Sequence, residues 1–287
     1  MKKLCISLFG FIFFCIGLLL AGYPFLSNYL MSKNQESEIN KHQSAVDDLT
    51  DEMIEQAFKE AEIYNNNMQG QVVLTDPFDP GIHEEEDAEY ESLLNINGDS
   101  IMAGVEIPRI NVKLPVYHGT SDETLLKGSG HLQKTSLPIG GKGTHAVLTG
   151  HTGLSNARLF TDLEQMEKGD VFLIYVLNRV LAYEVDQVKV VEPADTSDLK
   201  IISDEDYVTL MTCTPYGINT HRLLVRGVRI PYEQAEEIIE QTVPAKSRWM
   251  QEYKRALLAG AIVSLFVLLI FIIIKLWIKK HKVKLKG

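Results

Sequence analysis

The chain is poor in cysteine. Only three of its 287 residues are cysteines, and Cys5 and Cys15 both fall inside one uncharged run near the N-terminus, which leaves Cys213 alone in the rest. A small domain stapled by disulfides shows an even set of cysteines in its folded part, so that class is excluded. A basic surplus is missing as well: the formal charge is −10, which argues against nucleic acid as a partner. There is no internal repeat and no low-complexity tract. The acidic residues do not form a metal-ligand pattern; "EEED" at Glu84 to Asp87 lacks the interleaved ligands of a calcium loop and reads as a solvated face.

What is present is apolar sequence in long runs. Leu4 to Gly22 and Ala256 to Ile274 are uncharged over about nineteen residues each, enough for a helix to cross a hydrocarbon layer of roughly 30 Å. Lys2 and Lys3 precede the first run, while Lys275, Lys279, Lys280, Lys282, Lys284 and Lys286 follow the second. Basic flanks mark the cytoplasmic side, so both termini are expected in the cytoplasm and the middle outside the cell. Removing those eight lysines leaves Tyr23 to Arg255 at −18, eight units more acidic than the whole. Leu20 stands where a small residue is wanted before a cut after Gly22, so the first run reads as a retained anchor rather than a cleaved signal.

Between the runs the pattern changes twice. Val46, Leu49, Met53, Ala57, Ala61 and Tyr64 recur on one helical face, which predicts a surface helix over Ser37 to Tyr64. Gln71 to Gly81 contains "TDPFDPG", whose Asp-Pro and Pro-Gly steps disfavour helix and predict a loop. From Ser100 onward come short runs bounded by Gly, Pro and Asn: "SIMAGVEIP", "INVKLPVYHG", "THAVLTGH", "DVFLIYVL", "RVLAYEVDQVKVVEP", "DYVTLMTC" and "RLLVRGVRI". Short strands at close spacing predict a mainly β barrel or sandwich, with helical inserts at Thr120 to Lys127 and Asn156 to Glu164 and a helical return over Tyr232 to Lys254.

Cys213 ends one of these runs. A period of two in "YVTLMTC" puts Thr209, Met211 and Cys213 on one face and Val208, Leu210 and Thr212 on the other. "TPYGINT" is a turn and "HRLLVRGVRI" resumes a strand, so Cys213 and Arg222 can face each other across the mouth of a hairpin. An unpaired thiol outside the cell is open to oxidation and needs a reason to be kept; nucleophilic catalysis is one, provided a base can ionise it. Of eight histidines, His42, His83 and His281 lie in a juxtamembrane helix, an acidic loop and a basic tail. His118, His131, His145, His151 and His221 remain, and His151, flanked by glycines in "LTGHTGL", has the exposed strand-end position a base needs.

"TLMTCTPYGINTHRLLVRG" closely resembles the active-site signature of the sortases, membrane-anchored cysteine transpeptidases of Gram-positive bacteria. "THAVLTGHTGL" resembles the segment carrying their histidine, and "LPVYHGT" and "GHLQKTSLPIGG" are similar to other family segments, so the likeness runs from about Glu91 to Ile230. It implies a sortase-type β-barrel in which Cys213 is the nucleophile, His151 the acid/base partner and Arg222 the cation that orients substrate or steadies the oxyanion. His118 and His131 sit in family segments away from the catalytic position and read as structural.

"TDPFDPG" resembles the lid of class C, pilus-assembling sortases, which also carry a second membrane span. Matched onto this chain, Asp76, Pro77 and Phe78 form the lid, Asp76 pairing with Arg222 and Phe78 covering Cys213. The implied substrates are surface proteins with an LPXTG-like sorting signal. The implied acceptor is a lysine of another pilin, with a cell-wall precursor amine as the alternative, and no cofactor or metal is implied. The organisation expected is a membrane span at 1–30, an outer helix and lid loop at 31–90, the barrel at 91–232, a helical connector at 233–255, and a second span with a basic tail at 256–287. A hydrolytic cysteine protease, or a membrane-held binding or scaffold protein with an incidental thiol, are the rival readings.

Overall fold

The computed structural model describes residues 2–68, 74–79, 87–154 and 157–284, so His83 and most of the Glu84 to Asp87 run lie outside the described residues. The chain divides into two compact units, Met1–Ala245 and Lys246–Gly287. All seven apolar runs become strands: β1 (Ile101–Ile107), β2 (Val112–His118), β4 (Thr144–Thr149), β5 (Val171–Val176), β6 (Arg179–Val191), β7 (Asp206–Thr214) and β8 (His221–Ile230). A short strand that the periodicity does not reveal, β3 (Ser129–His131), bridges β2 and β4. The strands close in the order β1-β2-β3-β4-β7-β8-β6-β5, and β5 pairs back onto β1. The fold is thus the expected mainly β closed barrel, which leaves no long sheet edge open to other chains.

Alternation along the strands fills the interior. Val105, Leu148, Phe172, Ile174, Leu210 and Val225 are completely enclosed, and each such side chain stabilises the fold by roughly 1.5–3 kcal/mol relative to exposure. Gly227 is required for this packing, because a Cβ there would sit 2.6 Å from the ring of Phe172 and 2.8 Å from Tyr183.

The helices depart from expectation in three places. The surface helix is two helices: α1 (Lys2–Asp47) runs unbroken from the apolar segment, and α2 (Asp51–Asn67) starts afresh after it. Thr50 causes the break. It caps α2 by accepting a hydrogen bond from the Met53 N–H, and Asp51 and Glu52 then favour the positive end of the helix dipole. α2 buries Ile54, Phe58, Ala61 and Tyr64 on the barrel. α3 (Ala88–Ser92) is a single turn, and the first predicted insert forms as α4 (Asp122–Lys127).

The second insert does not form as a helix. Over the described residues from Ala157 the chain is a folded loop followed by a 3-10 turn at Leu163–Gln165, because Arg158 N–H donates to Asn28 Oδ1, Phe160 N–H donates to His151 O and Thr161 Oγ1 accepts from Gly153 N–H, tertiary bonds that replace a helical ladder. The return after the barrel is also interrupted: α5 (Tyr232–Gln241) stops before Pro244, and α6 (Arg248–Lys284) constitutes the second unit. Both α1 and α6 contain a stretch long and apolar enough to cross a membrane.

Candidate active site

The face of β7 that points away from the barrel interior carries the thiol. Val208 and Leu210 belong to the interior core, while Met211 packs outside with Leu132, Val147 and Leu224. Alternation places Cys213 on the Met211 side. Cys213 lies opposite Arg222 in the β7–β8 register, the cross-strand relation predicted from the turn. It is 8% exposed.

His151 reaches the same level by strand pairing. β4 and β7 run parallel, with Thr149 beside Met211, so the residues two positions further on, His151 and Cys213, leave the barrel side by side. Gly150 locks this register: its N–H donates to Met211 O at 3.1 Å and its carbonyl accepts from Thr212 Oγ1 at 2.6 Å. Any side chain at Gly150 would force the buried Phe160 to shift, since a Cβ would meet its ring at 2.8 Å. Past the histidine, Gly153 adopts φ +78° with the Tyr216 ring 3.6 Å from where a Cβ would stand, so the turn between β7 and β8 covers the histidine loop.

The loop of Asp76, Pro77 and Phe78 closes over these groups. Arg222 donates Nε to Asp76 Oδ1 at 2.8 Å and Nη2 to Asp76 Oδ2 at 2.5 Å, while Nη1 donates to the carbonyls of Asn219 and His221 at 3.1 and 3.0 Å. This is the two-point geometry that matches a guanidinium to a carboxylate, and the side chains are only 8% and 11% exposed. Phe78 lies with its ring 5.8 Å from that of His151 and 5.2 Å from the Arg222 guanidinium carbon, and it packs with Leu74 on the cluster around Met211. It therefore spans the histidine and the arginine.

Enclosure sets the protonation of the site. Burial pushes the Cys213 thiol up to about 11; Arg222 opposes the rise and Asp76 adds to it. Burial also lowers the His151 imidazole below its ordinary value, with Asp122 acting weakly against it. Burial works against the charge on Arg222, but the hydrogen bond to Asp76, with the charges of Cys213, Asp76 and Asp79, more than offsets it and raises the guanidinium above its ordinary value. Both shifts favour the neutral forms of thiol and imidazole near pH 7.

The other four candidate histidines have partners of their own. His118 lies between the carbonyls of Ser100 and Leu93, at 3.0 and 2.8 Å; His131 lies between Tyr90 Oη and Ser136 O, at 2.9 and 2.8 Å; His145 lies between Lys200 O and Thr209 Oγ1, at 2.9 and 2.7 Å. His221 faces Glu192 at 3.3 Å on the exposed side of the hairpin. Two elements of the site escaped the sequence reading: Thr214, whose Oγ1 donates to Glu164 Oε1 at 2.7 Å, and Tyr216 over Gly153. Neither position has a pattern that distinguishes it from an ordinary turn residue. Among the described residues no cluster of His, Cys, Asp and Glu has the form of a metal site.

Residues 105–230 match the family model of the sortase domain. The structure is similar to sortase C-1 of Streptococcus pneumoniae, at 49% identity and a TM-score of 0.65 over 68% of this chain and 99% of that one. It is also similar to sortase C-1 of Actinomyces oris, at 47% identity and a TM-score of 0.59 over 63% of this chain and 99% of that one. Among curated proteins, sortase D of Bacillus subtilis is 30% identical over 44% of this chain, a match that spans 62% of that relative's length. The chain belongs to the sortase family of cysteine transpeptidases, and its strong structural matches are to class C members.

Proposed function

We propose that the chain is a two-pass membrane sortase that joins pilin subunits outside the cell, both termini being cytoplasmic and the boundaries those read from the sequence. Cys213 attacks the threonine carbonyl of an LPXTG-like sorting signal and forms a thioester; His151 takes the thiol proton and delivers it to the departing glycine amine; Arg222 steadies the oxygen on which charge develops. The ε-amine of a lysine on another pilin then attacks the thioester, an isopeptide bond forms, and the thiol recovers its proton through His151. The thioester conserves the energy of the cleaved peptide bond, so no nucleotide is consumed.

The observation that carries this reading is the loop closed over the site. Asp76 occupies the donors of Arg222 that an incoming carbonyl would use, and Phe78 covers the approach to His151. A loop of this kind is autoinhibitory and opens for substrate, as the likeness to the class C proteins also suggests. The test uses the full-length chain in detergent micelles, with and without Asp76→Ala and Phe78→Ala, an LPXTG-type peptide, and a lysine-bearing pilin acceptor. Mass spectrometry is expected to find a Cys213 acyl-enzyme and a lysine isopeptide product, both absent in Cys213→Ala. A thioester resolved only by water or by a cell-wall-type amine would replace pilin joining with hydrolysis or wall anchoring. No thioester even with the loop released would sink the catalytic assignment.

A further inference from the structure

The loop after His151 is tied to the first membrane helix. Arg158 donates its backbone N–H to Asn28 Oδ1 at 3.1 Å, and Asn28 lies on α1 just past the apolar run that ends at Gly22. The side chain of the same arginine sends Nη2 to Asp162 Oδ2 at 2.7 Å and to the carbonyl of Ile110 at 3.1 Å. Asp162 is 2% exposed, and its other oxygen accepts from Gln165 Nε2 at 3.0 Å. A carboxylate so deeply buried is tolerated only when paired and hydrogen-bonded, so this arginine has a fixed place in the fold.

From that place the chain is led back to the histidine. Thr161 N–H donates to Arg158 O at 2.8 Å, Phe160 N–H donates to His151 O at 3.1 Å, and Thr161 Oγ1 accepts from Gly153 N–H at 3.1 Å. Leu159, between them, is held at φ +39°, a region a leucine rarely visits. Both Leu159 and Phe160 are buried. A residue persists in such a conformation when its surroundings over-determine it, and here they consist of the Arg158 clamp on one side and the His151 carbonyl on the other.

We propose that Asn28, Arg158 and Asp162 are positioning residues for His151, so that the membrane helix forms part of the scaffold of the site as well as its tether. The inference rests on His151 being the acid/base partner proposed above. α1 leaves the apolar run and fixes Arg158; Arg158 fixes the turn at Leu159 and Phe160; that turn fixes the His151 backbone. A version of the chain lacking α1 up to Asn28 loses the first of these bonds.

The experiment compares the full-length chain in nanodiscs as wild type, Asn28→Ala and Asn28→Asp, the last keeping an oxygen acceptor. Steady-state turnover of an LPXTG-type peptide is measured in the Asp76→Ala background across pH, and amide hydrogen exchange is followed over residues 151–162. Asn28→Ala is expected to lower kcat about three- to tenfold at unchanged KM, to move the pH limb belonging to His151, and to speed exchange at Phe160 and Thr161; Asn28→Asp restores all three. Wild-type exchange and wild-type kcat in Asn28→Ala would overturn the proposal, as would an equal loss in both variants. If no variant turns the peptide over, the catalytic reading fails by itself, and the exchange rates alone decide whether Asn28 holds the loop.

Discussion

Asp76 and Arg222 stand 146 residues apart in sequence and meet in a two-point ion pair, Nε to Oδ1 at 2.8 Å and Nη2 to Oδ2 at 2.5 Å. The pair fastens a short loop to the strand opposite Cys213. Breaking a buried pair by removing one partner is costly when the remaining charge stays buried, on the order of 3–5 kcal/mol. Opening of the loop, as proposed above, lets water reach the guanidinium, so the loss is expected as opening rather than unfolding. Asp76→Ala should therefore raise the rate of Cys213 alkylation by iodoacetamide at pH 7.5 at least about tenfold, read by mass spectrometry of the Cys213 peptide. Equal rates in wild type and variant would mean that the loop does not guard the thiol.

The pH dependence of the same alkylation separates burial from contact. In the closed site burial holds the thiol up to about 11, with Asp76 adding to the rise. A raised thiol pKa means that the reactive thiolate appears only as pH climbs toward that value. Opening the loop removes both the burial and the carboxylate, so the alkylation curve of Asp76→Ala and of Phe78→Ala moves to lower pH. Each unit of movement increases the thiolate fraction at neutral pH about tenfold. A curve for Phe78→Ala that overlays wild type would restrict the effect to the Asp76 charge.

Two glycines separate damage to the site from damage to the fold. At Gly150 an added methyl meets the Phe160 ring at 2.8 Å, and Phe160 holds the His151 carbonyl. At Gly227 it meets Phe172 at 2.6 Å in the barrel interior. Overpacking costs about 1–3 kcal/mol in either place. Gly150→Ala should lower kcat by more than its loss of stability accounts for, because the strain is relieved by moving the histidine loop. Gly227→Ala should lower the melting temperature while the folded fraction keeps wild-type kcat. The reverse pattern would show that His151 tolerates displacement of its loop.

The strands were legible because they are short apolar runs bounded by Gly, Pro and Asn, a pattern that fits a barrel or a sandwich alike; closure into a barrel came from the family resemblance, and the Cys213 to Arg222 relation followed from the turn between them. β3 was not: three residues, one of them glycine, carry no periodicity. The break between α1 and α2 had a signal in Thr50-Asp51-Glu52, an N-cap followed by two acids, but the continuing apolar spacing overrode it. The loop after His151 reads as helix because Ala157, Leu159 and Leu163 are good helix formers; tertiary hydrogen bonds to His151 and Asn28 decide otherwise. Of the candidate site, Cys213, His151, Arg222 and the Asp76 to Phe78 loop were recognisable as motifs through the family resemblance. Thr214 with Glu164, and the bonds of Arg158 to Asn28 and Ile110, were not, because partners far apart in sequence leave no local spacing to read.

Acid stability provides a test that is independent of activity. His131 and His145 are buried within the barrel wall, and burial lowers each from 6.5 to about 4. The unfolded chain therefore binds protons that the folded chain refuses. Stability is full above pH 6.5 and falls as the pH drops through the window from 6.5 to about 4, by up to about 3 kcal/mol for each histidine. Pulse proteolysis in urea should show the unfolding midpoint of the barrel dropping steadily from pH 7 to pH 4.5, with His145→Asn making the drop shallower even though it lowers the midpoint at pH 7. A midpoint that stays level across that window would mean that both imidazoles accept protons without leaving the fold, and that their carbonyl partners, Ser136 and Lys200, hold the charged form as well as the neutral one.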